Sequence, residues 1–148
     1  MNELDMQLTD LYRHFQSLPA GAQASMRRAA FPDELREMPG FYRLFPGARP
    51  SNRDVRLAYC LPWCEHLQPS ASLGPLLVDG ISEERIIQIA RASHPSDLQL
   101  FRRVVMQLKH SIGWMAIASM LWFWGTNVKH SLVENYFIAL HQLEKGQE

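Results

Sequence analysis

Cys60, Cys64 and His66 lie close enough together to suggest a soft metal site, with the pattern C-x3-C-x-H in the stretch CLPWCEH. A structural zinc needs four ligands, usually with C-x2-C or H-x3-H spacing, and no fourth partner stands near this triplet. Small buried cysteines beside Trp63 are the plainer reading, and a disulfide between positions i and i+4 of one helix has poor geometry. The histidines His14, His66, His94, His110, His130 and His141 are scattered, without an HExxH motif. No G-x-S-x-G frames a nucleophile and no glycine-rich loop could cradle a phosphate. The expectation is a protein that is not an enzyme, with no resident metal and no cofactor.

Cations offer more. Arg27 and Arg28 stand side by side in a stretch, residues 11 to 32, that contains no acid. Formal net charge is zero and the pI about 7.0, which taken alone argues against a nucleic-acid or membrane binder. The charges are segregated, however. Glu3, Asp5 and Asp10 open the chain, and Glu65, Asp79, Glu83 and Glu84 form an acidic block. From Arg85 to Lys129 six basic residues face a single acid, Asp97, a net of about +5 by count. Neutral therefore means dipolar, with basic surface available to phosphate. Arg36 and Arg43, among Asp33, Glu34 and Glu37, read as local ion pairs, which leaves Arg27, Arg28, Arg49, Arg85, Arg91, Arg102 and Arg103 as the unpaired arginines.

Helices must carry these groups. Leu4, Leu8, Leu11, Phe15 and Leu18 recur every three to four residues, predicting an amphipathic helix ended by Pro19 and Gly21. A second, Ala-rich helix spans about 22 to 30, and Pro32 opens a short turn closed by Pro39 and Gly40. Ser51 with Asp54 resembles a capping box, and Ser82 and Pro95 start two further helices. The second of these carries Leu98, Phe101, Val105 and Leu108 inward, turning Arg102, Arg103 and Lys109 to its flanks or outside. Gly113 to Phe123 is nearly all apolar and predicts the central helix of the second half, so Trp114, Trp122, Phe123 and Trp124 read as core before they read as a platform for bases. A last helix carries Val128, Leu132, Tyr136, Phe137 and Leu140.

No long period-two alternation predicts a strand. The fold expected is all-α, with two small packed helical bundles, residues 1-68 and 81-148, joined by a hinge loop at 69-80 whose Pro69, Gly74, Pro75 and Gly80 are breakers. Acids at the start, where a secretory signal carries bases, and the absence of an 18-residue apolar run predict a cytoplasmic protein with no membrane partner.

The order LYRHFQSL, RR, PDELREMPGFYRLF, SLG, ERIIQIARA, DLQLFRRVV and a tryptophan before LWFWG, from about Leu11 to Phe137, resembles the CasB family, the small subunit of the type I-E CRISPR Cascade surveillance complex. The resemblance implies a two-bundle helical protein without catalytic activity. It implies two copies aligned along the crRNA-bound backbone subunits, touching the large subunit, with basic faces on crRNA, target strand and displaced strand. Arg28, Arg49, Arg85, Arg91 and Arg103 fall where the family places bases, with Arg27 and Arg102 as neighbours. Three features depart from the family: Thr126 and Asn127 follow Gly125 where bases are common, leaving Lys129; the loop at 67 to 72 is short; and His94 stands where an arginine would fit. These predict weak binding of free nucleic acid and recruitment through partners. The competing reading is a helical adaptor that binds only protein.

Overall fold

The computed structural model describes residues 2–68 and 72–146, and among them there are helices, one isolated bridge between His66 and Gly113, and no strand. Helix α1 (Glu3–Gln16) starts where the Asn2 side chain accepts from the Asp5 N–H at 2.8 Å, and it buries Leu8, Leu11 and Phe15. Helix α2 (Ala20–Arg27) is followed by a 3-10 helix, Pro32–Glu37, and then by α3 (Pro39–Arg43), each with proline in its first turn, where a missing N–H costs nothing. The capping box at Ser51 and Asp54 is formed, with bonds of 2.8 and 3.2 Å, and opens α4 (Asn52–Cys60). Pro62 then forces a 3-10 turn, Leu61–Trp63.

The second half contains α5 (Leu73–Gly80), α6 (Glu83–Arg91), α7 (Ser96–Gln107), α8 (Trp114–Trp122) and α9 (Thr126–Gly146). The hinge-loop expectation needs correcting over 73 to 80, which is helical; 69 to 71 lie outside the described residues. Its breakers have other uses. Pro75 sits in the first turn, whose N–H groups have no helical partner anyway. Gly74 lets α5 come close to α9, since a Cβ there would lie 3.0 Å from the Asn135 carbonyl oxygen and 3.2 Å from the Ala139 Cβ.

A second correction concerns α8. It packs on α1 and α4, so the most apolar helix is the centre of the first half, contributed by the second. Trp114 is fully buried and its indole donates to the Leu8 carbonyl at 2.8 Å, while α5, α6, α7 and α9 pack among themselves. One continuous core joins both groups, through contact of α4 with α7.

Gly74→Ala should therefore destabilise the protein by about 1–3 kcal/mol through overpacking, although alanine is the better helix former. Chemical denaturation of the two proteins measures it; equal stability would show that α5 does not need this approach to α9.

Candidate nucleic-acid interface

The structure sorts the eight cations expected at the interface into two classes. Lys129 is committed: its ammonium lies 2.7 Å from Asp97 Oδ2 and donates to the Ala92 carbonyl at 2.8 Å, with only 12% of its side chain exposed. Asp97 also accepts from the Trp124 indole at 2.9 Å and the Leu98 N–H at 2.8 Å. Burial alone would raise the Asp97 carboxyl, but these hydrogen bonds and the Lys129 charge outweigh it and hold the group below its ordinary value. Lys129 thus secures the start of α9 to α7 and the end of α6 rather than facing solvent.

Arg27 and Arg85 are likewise engaged. The Arg27 Nε donates to the Pro62 carbonyl at 3.0 Å, tying α2 to the turn after α4, and Arg85 donates to Gln107 Oε1 at 2.6 Å, tying α6 to α7. Arg102 lies flat, its guanidinium carbon 4.0 Å from the centroid of the Tyr59 ring.

Arg28, Arg49, Arg91 and Arg103 are exposed. Arg28 ends α2 and makes one 3.3 Å contact with Ser25 Oγ; Arg49 stands in the loop before α4; Arg91 borders a shallow groove with Ile87 and Leu100. Arg103 shares a corner with Arg28. The Ala30 carbonyl, two residues beyond Arg28, accepts from Tyr59 Oη at 2.7 Å and from Gln99 Nε2 at 3.0 Å, which holds the end of α2 against the face of α7 that carries Arg102 and Arg103. Burial drives the Tyr59 hydroxyl up to about 12, so it remains a donor at neutral pH.

Two cations that join elements escaped the sequence reading. Arg53 and Arg56, one turn apart on α4, reach across to the end of α8: Arg56 Nε donates to the Leu121 carbonyl at 3.0 Å and Arg53 Nε to the Trp122 carbonyl at 3.3 Å. Arg53 also lies 4.1 Å over the Trp122 ring. Burial, then the nearby Arg53 charge, lowers the Arg56 guanidinium from its usual value. Their only sequence signal was the i, i+3 spacing of two bases on a helix whose partner was unknown. The aromatic cluster also divides, with Trp114 in the core and Phe123 62% exposed. Arg36 pairs with Asp33 at 3.3 Å as expected, whereas Glu34 accepts from the Ala30 and Phe31 N–H groups.

Cys60 and Cys64 are free and buried, and burial pushes the Cys60 thiol up to about 12 and Cys64 well above its ordinary value, the opposite of what a thiolate ligand requires. His66 is exposed, and among the described residues no group of three or more His, Cys, Asp or Glu is placed to hold a metal ion. No helix among them is long and apolar enough to cross a membrane.

No protein-family model matches the chain. It is 31% identical over 149 residues to the CRISPR system Cascade subunit CasB of Escherichia coli (strain K12), covering 89% of this chain and 93% of that protein. Its fold is similar to that of a chain in the crystal structure of E. coli Cascade bound to a PAM-containing double-stranded DNA target, with a TM-score of 0.79, 32% identity, and coverage of 90% of this chain and 96% of that one.

The buried pair can be tested separately from the exposed cations. Asp97→Asn should cost about 3–5 kcal/mol, because it leaves the Lys129 ammonium buried without its charge partner. A depressed carboxyl contributes stability that is complete above the unfolded value of about 3.9 and is lost as pH falls through the lower folded value. Thermal melts against pH should show a steeper acid limb in the wild type than in Asp97→Asn; parallel limbs would contradict this assignment.

Proposed function

The chain belongs to the CasB family of Cascade subunits, and from that premise we propose that it is a non-catalytic small subunit of a type I-E crRNA-guided surveillance complex, working in the cytoplasm. In this reading it sits with the backbone subunits, the large subunit and a second copy of itself. Its exposed arginines contact the backbones of crRNA and target DNA and help retain the displaced strand.

The observation that carries the reading is the separation of the cations. Arg28, Arg49, Arg91 and Arg103 are exposed, and neither an ion pair nor a local acid uses up their charge among the described residues. Such groups reach phosphate without reading bases, so binding should be insensitive to sequence and steep in salt. Sequence specificity is left to base pairing with the guide. R-loop formation exchanges one duplex for another of similar stability, so a few phosphate contacts suffice to tip it. The committed cations Lys129, Arg27, Arg85 and Arg102 act by fixing the helices that present the exposed ones.

The adaptor reading draws on the exposed Ile138 and Leu143 of α9, apolar side chains suited to a protein partner. Charge reversal separates the two. Arg28→Glu with Arg103→Glu, both exposed, should leave folding and assembly intact yet shorten R-loop lifetime by on the order of tenfold or more at 150 mM salt, since each lost phosphate contact also lowers the salt slope. Dissociation of target DNA from the assembled complex, followed at several salt concentrations, measures it. An unchanged lifetime and slope with full assembly would favour the adaptor.

A further inference from the structure

The corner that joins α2 to α7 holds more than charge. Phe31, directly after the Ala30 carbonyl that Tyr59 and Gln99 grip, is 51% exposed, while the next residue, Pro32, is buried. An aromatic ring kept at the surface by a pinned backbone is held ready for a flat partner, with little conformational entropy left to lose on contact. The surrounding groups fit one kind. Arg28 precedes it by three residues and Arg102 and Arg103 stand on the facing helix, against Glu34, whose carboxylate is occupied by the Ala30 and Phe31 N–H groups, and Asp33, which is paired with Arg36.

Arg102 strengthens the case from a different direction. One of its terminal nitrogens is buried without a hydrogen-bond partner, and the guanidinium forms no ion pair among the described residues. A partly buried cation that lies over the Tyr59 ring and has no ion pair among the described residues favours an anion at the adjoining surface. Phe123 is the other exposed phenylalanine, but Arg53, which reaches the end of the helix before it, is already engaged by Trp122.

We propose that this corner binds an unpaired nucleic-acid strand, with a base stacked on the Phe31 ring and the adjoining phosphates held by Arg28 and Arg103 in the field of Arg102. This rests on the nucleic-acid reading above and adds to it a base-stacking contact at Phe31. A stacking ring requires a strand whose bases are not paired, so duplex DNA is a poor ligand for this site.

The test is a titration of the full chain, at low salt, with a single-stranded thymidine oligonucleotide carrying one 2-aminopurine, whose fluorescence falls on stacking. Phe31→Ala should weaken binding on the order of tenfold and abolish the quenching, without changing the salt slope, because no phosphate contact is removed. Phe31→Trp should restore both. Arg103→Glu should instead flatten the slope by about 0.7. Equal affinity and quenching in wild type and Phe31→Ala would overturn the stacking site while leaving the phosphate reading intact. Absence of any binding by the wild-type chain would overturn it too, with the R-loop lifetimes of the arginine variants still deciding the broader reading. Normal oligonucleotide binding by Phe31→Ala together with lost assembly would make Phe31 a protein contact, and would also overturn it.

Discussion

A helix without a charged residue, wedged between two others, must still satisfy the backbone groups at its ends, and α8 draws on first-half residues at both of them. At its start the Trp114 N–H donates to the His66 carbonyl at 2.7 Å and the Met115 N–H to the Leu67 carbonyl at 3.1 Å. At its end Arg53 and Arg56 take the Leu121 and Trp122 carbonyls, placing positive charge where the helix dipole is negative. The chain can bury so apolar a segment because α4 and the turn after it supply these partners, with Ser51, Asp54 and Pro62 setting where each begins and stops. Everything from α4 onward inherits that geometry. Trp124 and Lys129 follow α8 directly, and their bonds to Asp97 fix α7 and α9 relative to it.

The functional surface follows from the same constraint. A protein of zero net charge has few cations to spare, and this one spends Arg27, Arg53, Arg56, Arg85 and Lys129 on joints between elements. Arg28, Arg49, Arg91 and Arg103 remain exposed and can be altered without disturbing the core. Phosphate contact asks for charge and reach, and the joints supply position. Under the proposed function, a subunit built this way would bind a free strand weakly by itself and contribute most where partners have already brought the nucleic acid to it, in keeping with the departures from the family pattern at Thr126, Asn127 and His94.

Much of the fold was legible because it rests on local rules. Leucine spacing marked α1, the Ser51 and Asp54 pair marked α4, and Ser82 marked α6. What misled was tertiary. Gly74 and Pro75 look like breakers in sequence, yet one permits close packing on α9 and the other occupies a helix start. The apolar run after Gly113 announces a buried helix but not which half buries it. Among the arginines, Arg36 could be assigned in advance because its partner Asp33 lies three residues away. Lys129 looked free because Asp97, its partner, is 32 positions away, and Arg53 and Arg56 were unremarkable until α8 lay against them.

The most direct test of the central claim is to tag the chain in its native host, recover it under gentle conditions, and extract and size any bound nucleic acid. Membership of a crRNA-guided complex predicts a single short RNA species of uniform length, arriving with a set of larger proteins. Recovery of protein partners with no RNA would contradict it, and would leave the exposed arginines as ordinary solvated surface.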